Sequence, residues 1–441
     1  MNNGLLELAC QTCGEAQAHG AQMADVSIRS TRSVTIVVEK NSLHTCQDTT
    51  GFSVSVRSIV RGATAHARTT IPEASSALTT ARRSAEAAPL MQPDPDFVSL
   101  PPAAAAEPVP RLFDQRIADL RAEDLIELMF SEVDAARAVH PGAVVQGSMT
   151  LRTEETALAS SLGMGHQGQE TMLALSLFCV VRDGDDVGSY YDFDFARSWD
   201  DFNPAGLGAR TCVEAARFLG ARTVDSRSLP VVLGPMAVHG LLWGVGMAAS
   251  AHEIQRHRSF LADKRGQQIA SPLFSLRDDG LISGGMGSGA RDWEGAPRRR
   301  VTLIENGTFA NVLHGSYSAN KAGEENTGHG TRGPDVFPSN LITGTGSVPA
   351  AEIIADTSEG IYVDHGGLFP NSVTGEISAT VDFGYKIEHG RLAYPLKNTM
   401  LGINIIDLLR SIDAISSDYR SEPGVILPTI RVKAMKIAGG A

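Results

Sequence analysis

The chain has 441 residues, 42% of them hydrophobic and 20% charged, a balance that excludes a disordered or fibrous polypeptide. With 38 Lys and Arg against 50 Asp and Glu, the formal charge is −12, which disfavours broad binding to nucleic acid or to an anionic membrane surface. No run of about 18 apolar residues is present to span a bilayer, and five cysteines are too few for a disulfide framework. The opening segment MNNGLLELACQTCGEAQAHG lacks a basic stretch followed by a long apolar one, so a cytoplasmic protein is expected.

Residues 4–20 read as a helix, with Leu5, Leu6 and Leu8 as an apolar patch and Gly20 as a stop. Val26 to Thr69 alternates apolar and polar residues, broken by Asn41 and Gly51, which predicts an antiparallel meander with one buried face. An Ala-rich helix at 72–88 precedes a Pro- and Ala-dense stretch at 89–112 that reads as an extended connector. Ala122 to Val139 is then a helix; Gly147 to Thr156 and Thr171 to Arg182 are strands joined by SSLGMGHQGQE, and a helix at 204–219 closes the unit.

From Leu229 onward, PVVLGP is a short buried strand and HGLLWGVGMAASAHEIQRHRSFL a long helix built tightly from Gly and Ala in its first half. Short strand signals follow, with hairpin turns at IENGTF and IEHGRL and a short helix at 403–412. The expected fold class is α+β: N-terminal α/β units with antiparallel strands, then a β-rich C-terminal domain around one long central helix. The expected domains are 1–100, 101–228 and 229–441.

His252-Glu253-Ile254-Gln255-Arg256-His257 spells H-E-x-x-x-H, a pattern whose two imidazoles can ligate zinc while the adjacent Glu can serve as general base. On a regular α-helix these histidines lie roughly 140° apart, so only a widened or unwound turn makes them converge. Cys10 and Cys13 form a lone C-x-x-C inside a helical pattern and read as a buried, inert pair. Asp183, Asp185, Asp186, Asp192 and Asp194 lack the Glu that completes a calcium loop and read as solvated acids on a strand–loop–strand. GGMGSG, from Gly284 to Gly289, misses both the phosphate-loop Lys and the dinucleotide spacing, and reads as a mobile loop.

Several segments together resemble the TldD/PmbA family, once called modulators of DNA gyrase. They are GDDVGSYYDFDFARSWDDFNPAGLG, LGARTVDSRSLPVVLGP, RSFLADKRGQQIASPLFSLRDDG, RRVTLIENGTFANVLHGSYSANKAG and ILPTIRVKAMKIAGG, in consistent order from about residue 180 to the C-terminus. The resemblance implies an α/β N-terminal portion and a β-rich C-terminal domain carrying one central helix. It also implies two branches that pair as a heterodimer. The TldD-type subunit holds zinc on an H-E-x-x-x-H helix with a Cys near the C-terminus, and the PmbA-type subunit, also called TldE, lacks these ligands. Together they act as a metallopeptidase on unfolded peptides, including peptide-antibiotic maturation and antitoxin turnover.

Lined up from VVLGP, the family's first zinc His falls on Trp243, its Glu on Gly244, its second His on Ala248 and its Cys on Gly424. The literal motif at His252, Glu253 and His257 is displaced nine residues from that position. The resemblance therefore implies a PmbA/TldE-like chain with no catalytic residue, metal ligand or cofactor of its own. On that reading zinc is expected in a TldD-type partner, and main-chain hydrogen bonding leads to the expectation that unfolded peptide is held by strand addition along a sheet edge. Two other readings stand beside it: a self-sufficient homodimeric metallohydrolase using His252, Glu253 and His257, and a regulatory binder of DNA gyrase.

Overall fold

In the computed structural model, which describes residues 4–440, helix α1 (Gly4–Ala18) leads into three antiparallel strands. These are β1 (Met23–Glu39), β2 (Ser42–Val60) and β3 (Ala63–Thr69). The first turn falls at Lys40–Asn41, as expected, but the second falls at Arg61–Gly62 and not at Gly51. Gly51 sits mid-ladder opposite Thr31. One glycine weakens a strand by about 1 kcal/mol, which the continuous ladder with β1 before and after it overrides.

Helix α2 (Ala74–Ala87) is followed by the extended connector, α3 (Gln115–Ala118) and α4 (Ala122–Val139). The Asp124 carboxylate accepts the Arg121 N–H at 2.8 Å and closes the first turn of α4. Strands β4 (Val144–Ser160) and β5 (Gly165–Asp183) run longer than the sequence indicated. Of SSLGMGHQGQE only residues 161–164 turn, and the rest extends the ladder despite its glycines. Strand β6 (Asp186–Ala196) and helix α5 (Leu207–Arg217) complete the unit.

All six strands form one sheet in the order β3-β2-β1-β4-β5-β6, so residues before and after the connector share it. Alternation decides which face is covered. Val26 and Ile28 pack under α1 and α2, and Val34, Ile36 and Val38 pack with α4 and α5. Ser27 and Arg29, between them in sequence, point to the opposite face.

Strand β7 (Arg227–Leu233) runs into α6 (Pro235–Ala248), and a short α7 (Ala251–Gln255) follows. The long helix read from sequence is thus two pieces. Its ladder stops because the Leu313 N–H bonds to the Ala249 carbonyl and the Ala251 N–H to the Leu313 carbonyl, each at 2.9 Å. Next come β8 (Leu276–Asp279), β9 (Arg300–Glu305), β10 (Thr308–Phe309), α8 (Ser316–Ala322), β11 (Leu341–Thr343) and α9 (Ala350–Ala355). The chain ends through β12 (Glu359–Gly366), β13 (Glu376–Glu388), β14 (Arg391–Pro395), β15 (Thr399–Asn404), α10 (Ile405–Arg410), β16 (Ile412–Glu422) and β17 (Val425–Gly439). Both expected hairpins form, with φ of 47° and 83° at Asn306–Gly307 and 50° and 72° at His389–Gly390.

Because β7 pairs with both β12 and β17, strands β7, β12, β13, β15 and β17 close into a ring. Leu241, Leu242 and Val245 of α6 share one buried core with Val231, Ile361, Val363, Ile430 and Val432 of that ring. This is the α+β architecture, with its β-rich C-terminal domain and central helix. No helix among the described residues is long and apolar enough to cross a membrane.

Candidate functional site

The uncovered face of the six-stranded sheet does not meet the C-terminal domain flush. A cavity of about 870 Å³ lies between them, lined by β1, β4 and β5 on one side and by α6 and the loops around 286–298, 337–341 and 423–425 on the other. Residues 108–113 of the connector form part of its wall. Trp243, with His239 one turn before it on α6, faces this space together with Trp293 and Phe337, whose rings lie 5.8 Å apart.

One wall offers a strand edge. Residues 165–170 of β5 pair with β4 on one side, whereas β6 joins the other side only from Leu173 onward. No strand among the described residues pairs with the outer edge of this segment, and it lines the cavity. Unpaired N–H and C=O groups in a row are what an extended peptide needs to add as a further strand.

The two walls are tied by charge. Asp25 of β1 accepts from Arg57 Nη2 at 2.5 Å and from Arg332 Nη2 at 2.6 Å, and Arg332 also donates to the Ser55 carbonyl at 3.0 Å. Burial acts to raise the Asp25 pKa, but the two guanidinium groups overcome it and lower it to about 2. On the far wall, Asp278 and His329 are fully buried 2.8 Å apart, and His329 Nδ1 lies 3.0 Å from Thr327 Oγ1. Both imidazole nitrogens are thereby engaged, so this pair positions the loop and leaves no free base. Burial raises the pKa of Asp292 and of Glu294, whose carboxylates accept from the N–H groups of Gly330 and Ser316 respectively.

GGMGSG is not mobile but fixed. Gly287 N–H donates to Asn340 Oδ1 at 2.9 Å, Arg197 donates to the Gly285 and Met286 carbonyls, and Asn340 Nδ2 reaches Ser288 Oγ and the Asp279 carbonyl. Its glycines let the backbone approach Ser339 and Asn340 closely, a packing role the spacing alone did not reveal.

The motif at residues 252–257 does not converge. His252 is buried, 3.2 Å from Arg256 Nη1, and burial lowers its pKa, whereas the His257 side chain is 77% exposed, beyond the end of α7. Glu253 is paired with Arg258 at 2.8 Å. Of the C-x-x-C pair only Cys13 is buried, its thiol pushed up to about 12 mainly by burial, while Cys10 is exposed on α1. The five aspartates are spread along the β5–β6 hairpin: Asp192 pairs with Arg420 at 2.9 Å and Asp194 accepts the Asn203 N–H at 2.6 Å.

Among the described residues no group of three or more His, Cys, Asp and Glu side chains is placed to hold a metal ion. The positions implied for zinc do not fit one. Trp243 supplies an indole to the cavity and no lone pair suited to zinc. A side chain at Gly244 would overlap the Pro370 ring, and Ala248 is buried in the core. Gly424 lies between two cavity residues, Pro423 and Val425, with φ of +90°, and a Cβ there would overlap the Asn340 side chain. Arg291, Arg298, Asp292 and Trp293 escaped the sequence reading, although RDWEGAPRRR concentrates charge and an aromatic ring beside the Gly-rich loop.

Comparison with known proteins agrees with this architecture. Three family models match: PmbA/TldA metallopeptidase domain 1 over residues 24–88, the central domain over 115–220 and the C-terminal domain over 226–439. A metalloprotease TldD homologue of Haemophilus influenzae is 27% identical over 323 residues, 69% of this chain and 67% of that protein. Metalloprotease PmbA of Escherichia coli O157:H7 is 24% identical over 295 residues, 66% of this chain and 64% of that protein. The crystal structure of TldE from Thermococcus kodakarensis superposes with a TM-score of 0.89 at 23% identity, covering 97% of this chain and 99% of that one. A putative modulator of DNA gyrase from Thermotoga maritima gives 0.88 at 23% identity, with 98% and 99% covered. With its three domains matched in order along most of its length, the chain belongs to the PmbA/TldD metallopeptidase family.

Proposed function

We propose that this chain is the zinc-free, PmbA/TldE-like subunit of a two-component zinc peptidase acting on unfolded peptides, paired with a TldD-type subunit that holds the zinc. The observation that carries this reading is the filling of the family's zinc position. Trp243, Ala248 and Gly424 leave no ligand there and Gly244 no general base, and Pro370 and Asn340 occupy the space that side chains at 244 and 424 require. The cavity and the open β5 edge support a role in receiving an extended chain, since main-chain hydrogen bonds hold many sequences alike.

The test is hydrolysis of an unfolded peptide by the purified chain, alone and mixed with a TldD-type partner. Hydrolysis is expected only in the mixture, abolished by a chelator and retained in Glu253→Gln and His257→Ala. Turnover by the isolated chain that Glu253→Gln abolishes contradicts the proposal and favours the self-sufficient hydrolase.

A further inference from the structure

Most arginines of the cavity are already committed. Arg29 pairs with Glu154 at 2.9 Å, Arg111 with Asp201 at 2.7 Å and Arg197 with Glu170 at 2.8 Å. Arg291 donates to the carbonyls of Gly295 at 2.8 Å and Ala104 at 2.6 Å. Arg298 differs. It lines the same cavity, its Nε is buried with no hydrogen-bond partner, and among the described residues no carboxylate comes within ion-pair distance of it.

A buried guanidinium with an unmet donor is costly, and in folded proteins such groups are paired. The carboxylates that act on it through space, Asp292, Asp278 and Glu170, give it no hydrogen bond, and Glu170 is paired with Arg197. Asp292 spends its oxygens on the N–H groups of Ala296, Glu294 and Gly330, and Asp278 spends its own on His329 and Ser339. The slot is also shaped for the side chain: a Cβ on Gly280 would lie 2.8 Å from Arg298 Cδ, and one on Gly289 3.7 Å from Arg298 Nε. Glycine at 280 leaves the space that the Arg298 stem occupies, and a Cβ at 289 would only touch the side chain, which lines the cavity. The loop that carries Arg298 packs against the start of the open β5 edge, where Gly295 abuts Met164.

From this placement we infer that Arg298 forms a carboxylate-binding subsite, taking the C-terminal carboxylate or an acidic side chain of a peptide extended along β5. The inference deepens the proposed function and rests on its reading of the cavity as a peptide chamber. One free guanidinium matches one carboxylate in charge and in planar, two-point geometry. The surrounding Trp243, Trp293 and Phe337 suit the apolar remainder of such a peptide.

Three N-acetylated hexapeptides of otherwise uncharged sequence test it, titrated into the full-length chain by calorimetry. One carries a free C-terminal carboxylate, one a C-terminal amide, and one an amide together with an internal Glu. The free acid, the Glu peptide or both are expected to bind about tenfold to a hundredfold more tightly than the plain amide. Which of them gains identifies the source of the carboxylate. In Arg298→Met and Arg298→Gln that ratio falls to about one, and continued binding of the amide shows that the variants still fold. Equal affinities for all three peptides in the unaltered chain overturn the subsite while leaving the peptide chamber standing. Binding of none of them overturns the chamber itself and the subsite with it.

Discussion

Replacing Asp25 by Ala is expected to lower stability at neutral pH by about 3 to 5 kcal/mol, because it strands the buried Arg57 guanidinium and removes the carboxylate that also pairs the part-buried Arg332. Arg57 and Arg332 both direct their charge at this carboxylate, Arg57 from the neighbouring strand and Arg332 from the C-terminal domain. The effect depends on pH in a defined direction. The folded pKa of Asp25 is about 2, below its ordinary 3.8, so the stabilisation is fully present above about pH 4 and is lost as pH falls through 2. Urea unfolding of the two proteins is therefore expected to differ most at pH 7 and to converge towards pH 2. A difference that stays constant over that range contradicts the ion-pair account. Arg332→Met is expected to cost less, since Asp25 and Arg57 remain paired, but it releases β1 from the far wall of the cavity.

The second large effect concerns the filled zinc position. Introducing the family's three ligands and its Glu in W243H/G244E/A248H/G424C is expected to yield an unstable protein that takes up no zinc. At residue 424 the backbone φ of +90° suits glycine, and a side chain collides with Asn340, whose amide holds Gly287 and Ser288 in place. Strain of about 1 to 3 kcal/mol adds to the loss of that network. G424C alone is therefore expected to be destabilised by about 3 kcal/mol, read by thermal unfolding. A quadruple variant that melts like the parent and binds one zinc ion contradicts the claim that the pocket has been closed by packing.

How far the sequence carried these conclusions depended on the kind of signal. Local patterns were legible: the helix at Ala122–Val139 was placed to the residue, and Asn306–Gly307 and His389–Gly390 turn as hairpins. Signals that depend on a partner elsewhere in the chain misled. Gly51 breaks no strand because β1 continues opposite it, and the helix after Gly234 stops at Ala248 because Leu313 competes for its backbone. The same limit applies to the site. The H-E-x-x-x-H spelling drew attention to His252 and His257, which the fold sends to the interior and to solvent respectively. Arg298 gave no such sign, since its lack of a partner is a property of the packed loops around it and not of any spacing.

The central claim is that this chain holds no zinc of its own, and the metal content of the purified chain after dialysis against zinc tests it most directly. The account predicts far less than one tightly held ion per chain, unchanged in His257→Ala. One zinc per chain that resists dialysis, and that is lost on altering His252 or His257, contradicts it.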